Sequence, residues 1–188
     1  MRVLRDALRA HGGTLADVVI DEPGAPGAQQ PGAPGAQPGA AEAEPPGPAQ
    51  IAASGPRAAG CEAEFELLLE MILEGSRLHY GGTPRAVRTD DADLALLLGD
   101  QLYALGLSRL AALGDLDAVA ELADVISLVA QAHAAGDAPL ADAVWEAGAV
   151  AIGWGATDAH ERAKRLARAD DRLAAQSLRA AAAGARPS

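Results

Sequence analysis

The chain has 188 residues and a formal net charge of −11, with 49% hydrophobic side chains but only 3% aromatic ones. That balance excludes nucleic acid and anionic membrane surfaces as partners, because both demand a basic patch. The lone cysteine, Cys61, excludes a disulfide framework and any Cys-based metal cluster. Alanine and leucine dominate while β-branched and aromatic residues are scarce, so the expected fold class is all-α, an antiparallel helical bundle. No apolar run approaches the roughly 20 residues of a membrane span. The opening "MRVLRDALRAHGG" interleaves charges with its apolar residues where a signal peptide needs an unbroken apolar stretch. The expected location is cytoplasmic.

Residues 1–20 hold a short amphipathic helix over 2–10, built on Val3, Leu4 and Leu8 and closed by Gly12 and Gly13. At that length it needs a surface to dock on, in this chain or in a partner. Residues 21–60 are rich in Pro, Gly and Ala with one large aliphatic side chain, Ile51, and are expected to be a disordered linker. Residues 61–182 form the helical domain, and 183–188 a disordered tail. Its first helix, 62–79, carries Phe65, Leu68, Leu69, Ile72 and Leu73 at helical spacing and stops at Gly81, Gly82 and Pro84. The next starts with Asp93 as N-cap and shows a broad face of Leu94, Leu97, Leu98, Leu102, Leu105 and Leu110. Gly99 and Gly106, two turns apart, predict close approach of another backbone and a central position for this helix.

"GDLD" (114–117) stops one helix and starts another, which predicts antiparallel neighbours. In the second, Val119, Leu122, Ala123, Ile126, Val129, Ala130 and His133 form one stripe, with Glu121, Asp124 and Ser127 opposite or flanking it. A helix over 138–152 carries Leu140, Val144, Trp145 and Ile152. The last runs from Asp158, capped with Glu161, to 182, and its thin apolar stripe places it on the outside.

The acidic cluster "TDDAD" offers Asp90, Asp91 and Asp93 as weak candidates for a Mg²⁺ site. Asp at a helix start also caps it and complements its dipole, and that is the preferred reading. The histidines, at 11, 79, 133 and 160, form no metal-binding pair, and His133 reads as a packing residue. Ser76, Ser108 and Ser127 lack a nucleophile elbow. "GAVAIGWG" (148–155) lacks the P-loop Lys-Ser/Thr and reads as close helix packing or a helix end. "HERAKRLARADDR" (160–172) mixes bases with Glu161, Asp170 and Asp171 and reads as a solvated helix face.

Residues of about 64–133, including "LLLEMILEGSRLHYGGTPRAVRTDDADLALLLGDQL" and "LADVISLVAQAH", resemble the middle of the trans-isoprenyl diphosphate synthases, the polyprenyl synthetase family. The likeness rests on an ordered series. A D-D-x-x-D helix is followed in the family by an R-R-G-x-P loop and then a helix beginning L-A-G-D-x-L. Setting "LALLLGDQL" on that last element places Gly82-Thr83-Pro84 on G-x-P without a gap. The resemblance implies an all-α fold around a cavity for a growing prenyl chain. It also implies loss of the chemistry, because Met71, Ile72 and Gly75 stand at the metal-binding aspartates, and Tyr80 and Gly81 at the phosphate-binding arginines. Metal and arginine stabilise the leaving pyrophosphate, and apolar replacements cannot. No second aspartate motif follows, Asp170 and Asp171 being the only acids near its place, and the chain is shorter than the family's members.

What the resemblance implies is a catalytically silent accessory or regulatory subunit of a heteromeric isoprenyl diphosphate synthase. It would have no cofactor of its own, with Mg²⁺ only where a catalytic partner supplies the site. Leu68, Leu69, Ile72 and Leu73, with Leu94, Leu98, Leu102 and Leu105, would pack on that partner or line a chain-length cavity. The alternative is a stand-alone helical interaction module, as a homodimer or with another protein, and a third reading is an enzyme of another class using Asp90, Asp91 and Asp93.

Overall fold

The computed structural model describes residues 1–20 and 45–186. Residues 21–44 of the expected linker and the last two of the expected tail lie outside the described residues. Regular structure among the described residues is helical except for one isolated antiparallel bridge between Val19 and Val87. The helices are α1 (Arg2–His11), α2 (Gly13–Asp17), α3 (Pro48–Ala53), α4 (Glu62–Tyr80), α5 (Ala92–Ala112), α6 (Leu116–Ala134), α7 (Ala138–Trp154), α8 (Asp158–Arg168) and α9 (Ala174–Ala185). No helix is long and apolar enough to cross a membrane.

Helix α4 contributes to both apolar clusters of the fold. Every residue from Leu67 to Ser76 is buried, Glu70 and Glu74 included. Leu68, Leu69 and Ile72 enter the main core with α3, α6 and α7, while Leu67 and Met71 enter a second apolar cluster with Leu4, Leu8, Leu15, Ala86, Val87, Leu98 and Leu102. The amino-terminal helices therefore dock on α4 and α5 of the same chain.

Helices α4 and α5 are antiparallel and their backbones come close through three glycines. A Cβ on Gly75 would lie 2.9 Å from the Gly99 carbonyl oxygen, and one on Gly106 would lie 2.9 Å from the Leu68 carbonyl oxygen and 2.6 Å from Ile72 Cδ1. The close approach expected of Gly99 and Gly106 is present. The central position expected of α5 is not, since Leu96 is 46% exposed and Leu97 65%. That position belongs to α7, which packs on α3, α6, α8 and α9 and buries all of residues 147–153. Helix α5 pairs with α4, and α6 with α7, so the short link between α5 and α6 does not make them principal neighbours.

Four further boundaries or faces differ from the sequence reading. The expected linker runs to 60, yet α3 and a 3-10 turn at Pro56–Ala58 pack inside the core, with Ala49, Ala52 and Ala58 fully buried. Large side chains are unnecessary there, because Ala52 and Gly55 lie directly on the backbone of Gly153. The buried face of α6 is Ala118, Glu121, Leu122, Val125, Leu128, Val129 and Ala132, with Ala123 exposed. Val125 sets that rotation by filling the hollow at Gly148 of α7. Asp91, not Asp93, caps α5, accepting from the Asp93 and Leu94 amides. Finally, the single terminal helix is two, broken at Asp170, whose φ of 52° leaves the right-handed helical region.

Gly106→Val should lower stability to urea by about 1–3 kcal/mol, because its side chain would overlap Ile72 and the Leu68 carbonyl. A variant as stable as the parent would show that the α4–α5 contact is looser than described.

Candidate functional site

The stretch that carries the family resemblance is filled by packing. Met71 is 2% exposed and Ile72 fully buried. Gly75 lies against Gly99, the Tyr80 ring stacks on His133 with centroids 4.2 Å apart, and Gly81 ends α4 in a left-handed conformation at φ 75°. His79 stacks on Tyr103 at 5.2 Å, and its Nε2 lies 3.2 Å from Asp100 Oδ1 without a hydrogen bond. Burial pushes the Tyr103 phenol up to about 12, partly opposed by a hydrogen bond with Ser76. Among the chemistry-bearing positions, His133 is thus the packing histidine expected of it.

Asp90, Asp91 and Asp93 are exposed, and Asp91 spends its carboxylate on the α5 cap. Among the described residues no cluster of His, Cys, Asp and Glu is arranged to hold a metal ion. Leu68, Leu69, Ile72 and Leu73 are covered by the chain's own core, and Leu98 and Leu102 join the cluster that receives α1. Leu94 and Leu105 are half-buried against the same cluster. The large apolar side chains that α5 exposes are Leu96 and Leu97.

Two buried carboxylates organise the polar interior, and neither was singled out by periodicity. Glu74, fully buried, accepts three backbone amides with Oε1: Arg85 at 2.7 Å, Ala86 at 2.5 Å and Val87 at 3.1 Å. Its Oε2 accepts from Arg77 at 2.9 Å. The loop so held forms the bridge to the amino-terminal segment, through Ile20 N–H to the Ala86 carbonyl and Arg88 N–H to the Val18 carbonyl.

Glu121 joins α6 to α8. Its Oε1 lies 2.6 Å from His160 Nε2, and its Oε2 accepts from Lys164 Nζ at 2.7 Å. Lys164, 3% exposed, also donates to Asp124 at 2.8 Å and meets Glu161 at 2.8 Å, and Arg168 closes on the other oxygen of Asp124 at 2.6 Å. The stretch read as a solvated face therefore turns His160 and Lys164 inward. The signal in the sequence is the spacing of His160, Ala163, Lys164 and Ala167 on one helical face, a stripe without large apolar side chains. Burial drives the Glu121 carboxyl up, but hydrogen bonds and charge from His160 and Lys164 outweigh it and hold the group below its ordinary value; Asp124 is lowered likewise by Lys164 and Arg168. Three carboxylates raise Lys164 despite desolvation.

An open cleft of about 410 Å³ lies beside this cluster, with Arg57, Asp117 and Ala151 among its walls. With three carboxylates around one ammonium, Lys164 has no lone pair to offer as a nucleophile near neutral pH. The arrangement ties two helices together.

Glu74→Ala should cost about 3–5 kcal/mol, because it strands Arg77 and three amides, and hydrogen exchange should quicken at Ala86 and at Ile20 together. Unchanged protection at Ile20 would separate the amino-terminal docking from Glu74. Lys164→Met should cost a similar amount. The depressed Glu121 contributes stability above its unfolded value of 4.5 that is lost as pH falls through the lower folded value, so Glu121→Gln should flatten the acid limb of a urea-stability profile below about pH 4.5. An acid limb unchanged in that variant would remove Glu121 from the acid response. In comparison with known proteins, the chain matches no protein-family model, no curated protein and no solved structure.

Proposed function

We propose that this chain is a catalytically silent helical subunit that works by binding another protein, and that the partner is an isoprenyl diphosphate synthase of the polyprenyl synthetase type. One observation carries the first half of that reading. At the positions where the family resemblance calls for aspartates and arginines, Met71 and Ile72 are core residues, Gly75 is a helix-contact glycine, Tyr80 is a stacked ring and Gly81 ends the helix. Each has a packing task that a metal-binding or phosphate-binding side chain would disrupt. The partner's identity follows from the sequence resemblance, and the exposed Leu96 and Leu97 supply apolar surface for it.

The alternative of a stand-alone interaction module draws on the same exposed leucines and differs only in what it binds. The test uses the full chain as bait in lysate of its own cells. The expected result is recovery of a synthase with intact aspartate motifs in near-equal amount, lost on Leu97→Glu. The chain alone should release no pyrophosphate from isopentenyl and allylic diphosphates with Mg²⁺. Condensation by the chain alone would end the silent-subunit reading, and recovery without any synthase would end the isoprenoid one.

A further inference from the structure

Helix α5 keeps one face uncovered. Asp93, Leu96, Leu97, Asp100 and Ala104 are all exposed, and their spacing sets them along one side of the helix. Leu96 and Leu97 stand in the middle of this ridge, with Asp93 one turn before them and Asp100 one turn after. Among the described residues no arginine or lysine pairs with either carboxylate, and Asp100 Oδ1 lies 3.2 Å from His79 Nε2. The ridge is thus an apolar pair between two acids.

The complementary surface lies between α8 and α9, where a groove of about 640 Å³ is lined by small side chains and Leu166. Ala163 and Ala181 are buried at its floor, and Arg162 and Arg165 stand exposed in its wall. Among the described residues no carboxylate pairs with either guanidinium, since Glu161, beside them in sequence, turns to Lys164 at 2.8 Å. On a chain of net charge −11, this groove is an apolar trough edged by two cations without anions. Helix α5 packs on α4 and α6, whereas α8 and α9 pack on α6 and α7, so the ridge and the groove of one molecule occupy separate parts of the fold.

We propose that the chain assembles head to tail, the α5 ridge of one copy seating Leu96 and Leu97 in the α8–α9 groove of the next, with Asp93 and Asp100 against Arg162 and Arg165. The leucines anchor a helix in a groove, and the charges fix its orientation. Charge selects this contact over its symmetric rivals. Two α5 ridges packed antiparallel about their leucines would set Asp93 of each against Asp100 of the other, and two grooves face to face would set arginine against arginine. Ridge on groove alone brings opposite charges together, and it leaves a free ridge at one end and a free groove at the other, so the assembly grows past two copies. One helix in one groove is a small interface, and the association is correspondingly weak. The ridge is the surface that the proposed partner also uses, but the test here needs only the purified chain, so a result against self-assembly leaves the partner reading standing.

The experiment is sedimentation velocity of the full chain from about 1 to about 300 µM, a range suited to weak association. The weight-average mass should rise from that of one chain, 18.9 kDa, to more than twice that value. Leu97→Glu, and Arg162→Glu with Arg165→Glu in one chain, change only exposed side chains, and circular dichroism checks that both variants fold. Each should shift the midpoint of association at least about tenfold upward. Mixing the two variants is the decisive step, because the first keeps its groove and the second its ridge. The mixture should form a one-to-one pair and grow no further. A parent that stays a single chain at the highest concentration, growth that stops at two copies, assembly that persists in either variant, or a mixture that forms no pair would overturn the proposal.

Discussion

The interaction on which the rest of the molecule depends is the acceptance by Glu74 of three consecutive backbone amides from residues 85–87. A carboxylate at zero exposure is costly unless its oxygens are filled, and here one oxygen takes the loop while the other takes Arg77. Because the loop is pinned, its outer edge is free to pair with residues 18–20, and because that pairing forms, Leu4, Leu8 and Leu15 reach the side of α4 that α3, α6 and α7 leave open. A single buried charge therefore converts a helix with one apolar face covered into a helix covered on all sides. The same logic recurs across the molecule at Glu121, where α6 and α8, which share little apolar surface, are joined by charge.

Small residues do the remaining work. The chain has few aromatic side chains with which to fill space, so its elements approach until backbones touch, at Gly75 with Gly99 and at Gly55 with Gly153. Contacts of this kind gain dispersion from many short atom pairs rather than from large buried side chains. Leu68, Ile72 and Leu102 are fully buried in the interior so packed.

How much of this was legible follows from which physical signal each element carries. Helix α4, the Gly99 and Gly106 contact and the packing role of "GAVAIGWG" were readable, because apolar spacing and mid-helix glycine are strong local signals. Helix α3 was not, since "PAQIAA" gains its place from the backbone of Gly153, a partner far away in sequence. The rotation of α6 is not legible from apolar spacing, because a glutamate has no place in an apolar stripe and only His160 and Lys164 opposite Glu121 make its burial affordable. Glu74 gave no local sign at all, as its partners are backbone amides of a loop whose conformation it creates. At the break in the terminal helix, Gln131 of α6 donates its amide to the Ala167 carbonyl and the Asp170 carboxylate, a contact between distant parts of the sequence.

The seating of Ala52 against Gly153 has a further consequence, for the order in which the chain folds. The two residues are about a hundred positions apart, so their contact closes a large loop and cannot form before much of the chain is in place. The α4–α5 hairpin, by contrast, joins neighbours in sequence and can assemble early. A contact made late is absent from the transition state and acts chiefly by slowing escape from the native state. The close fit of α3 on α7 is thus a brake on unfolding, and it sets how long the finished molecule stays folded more than how quickly it arrives there.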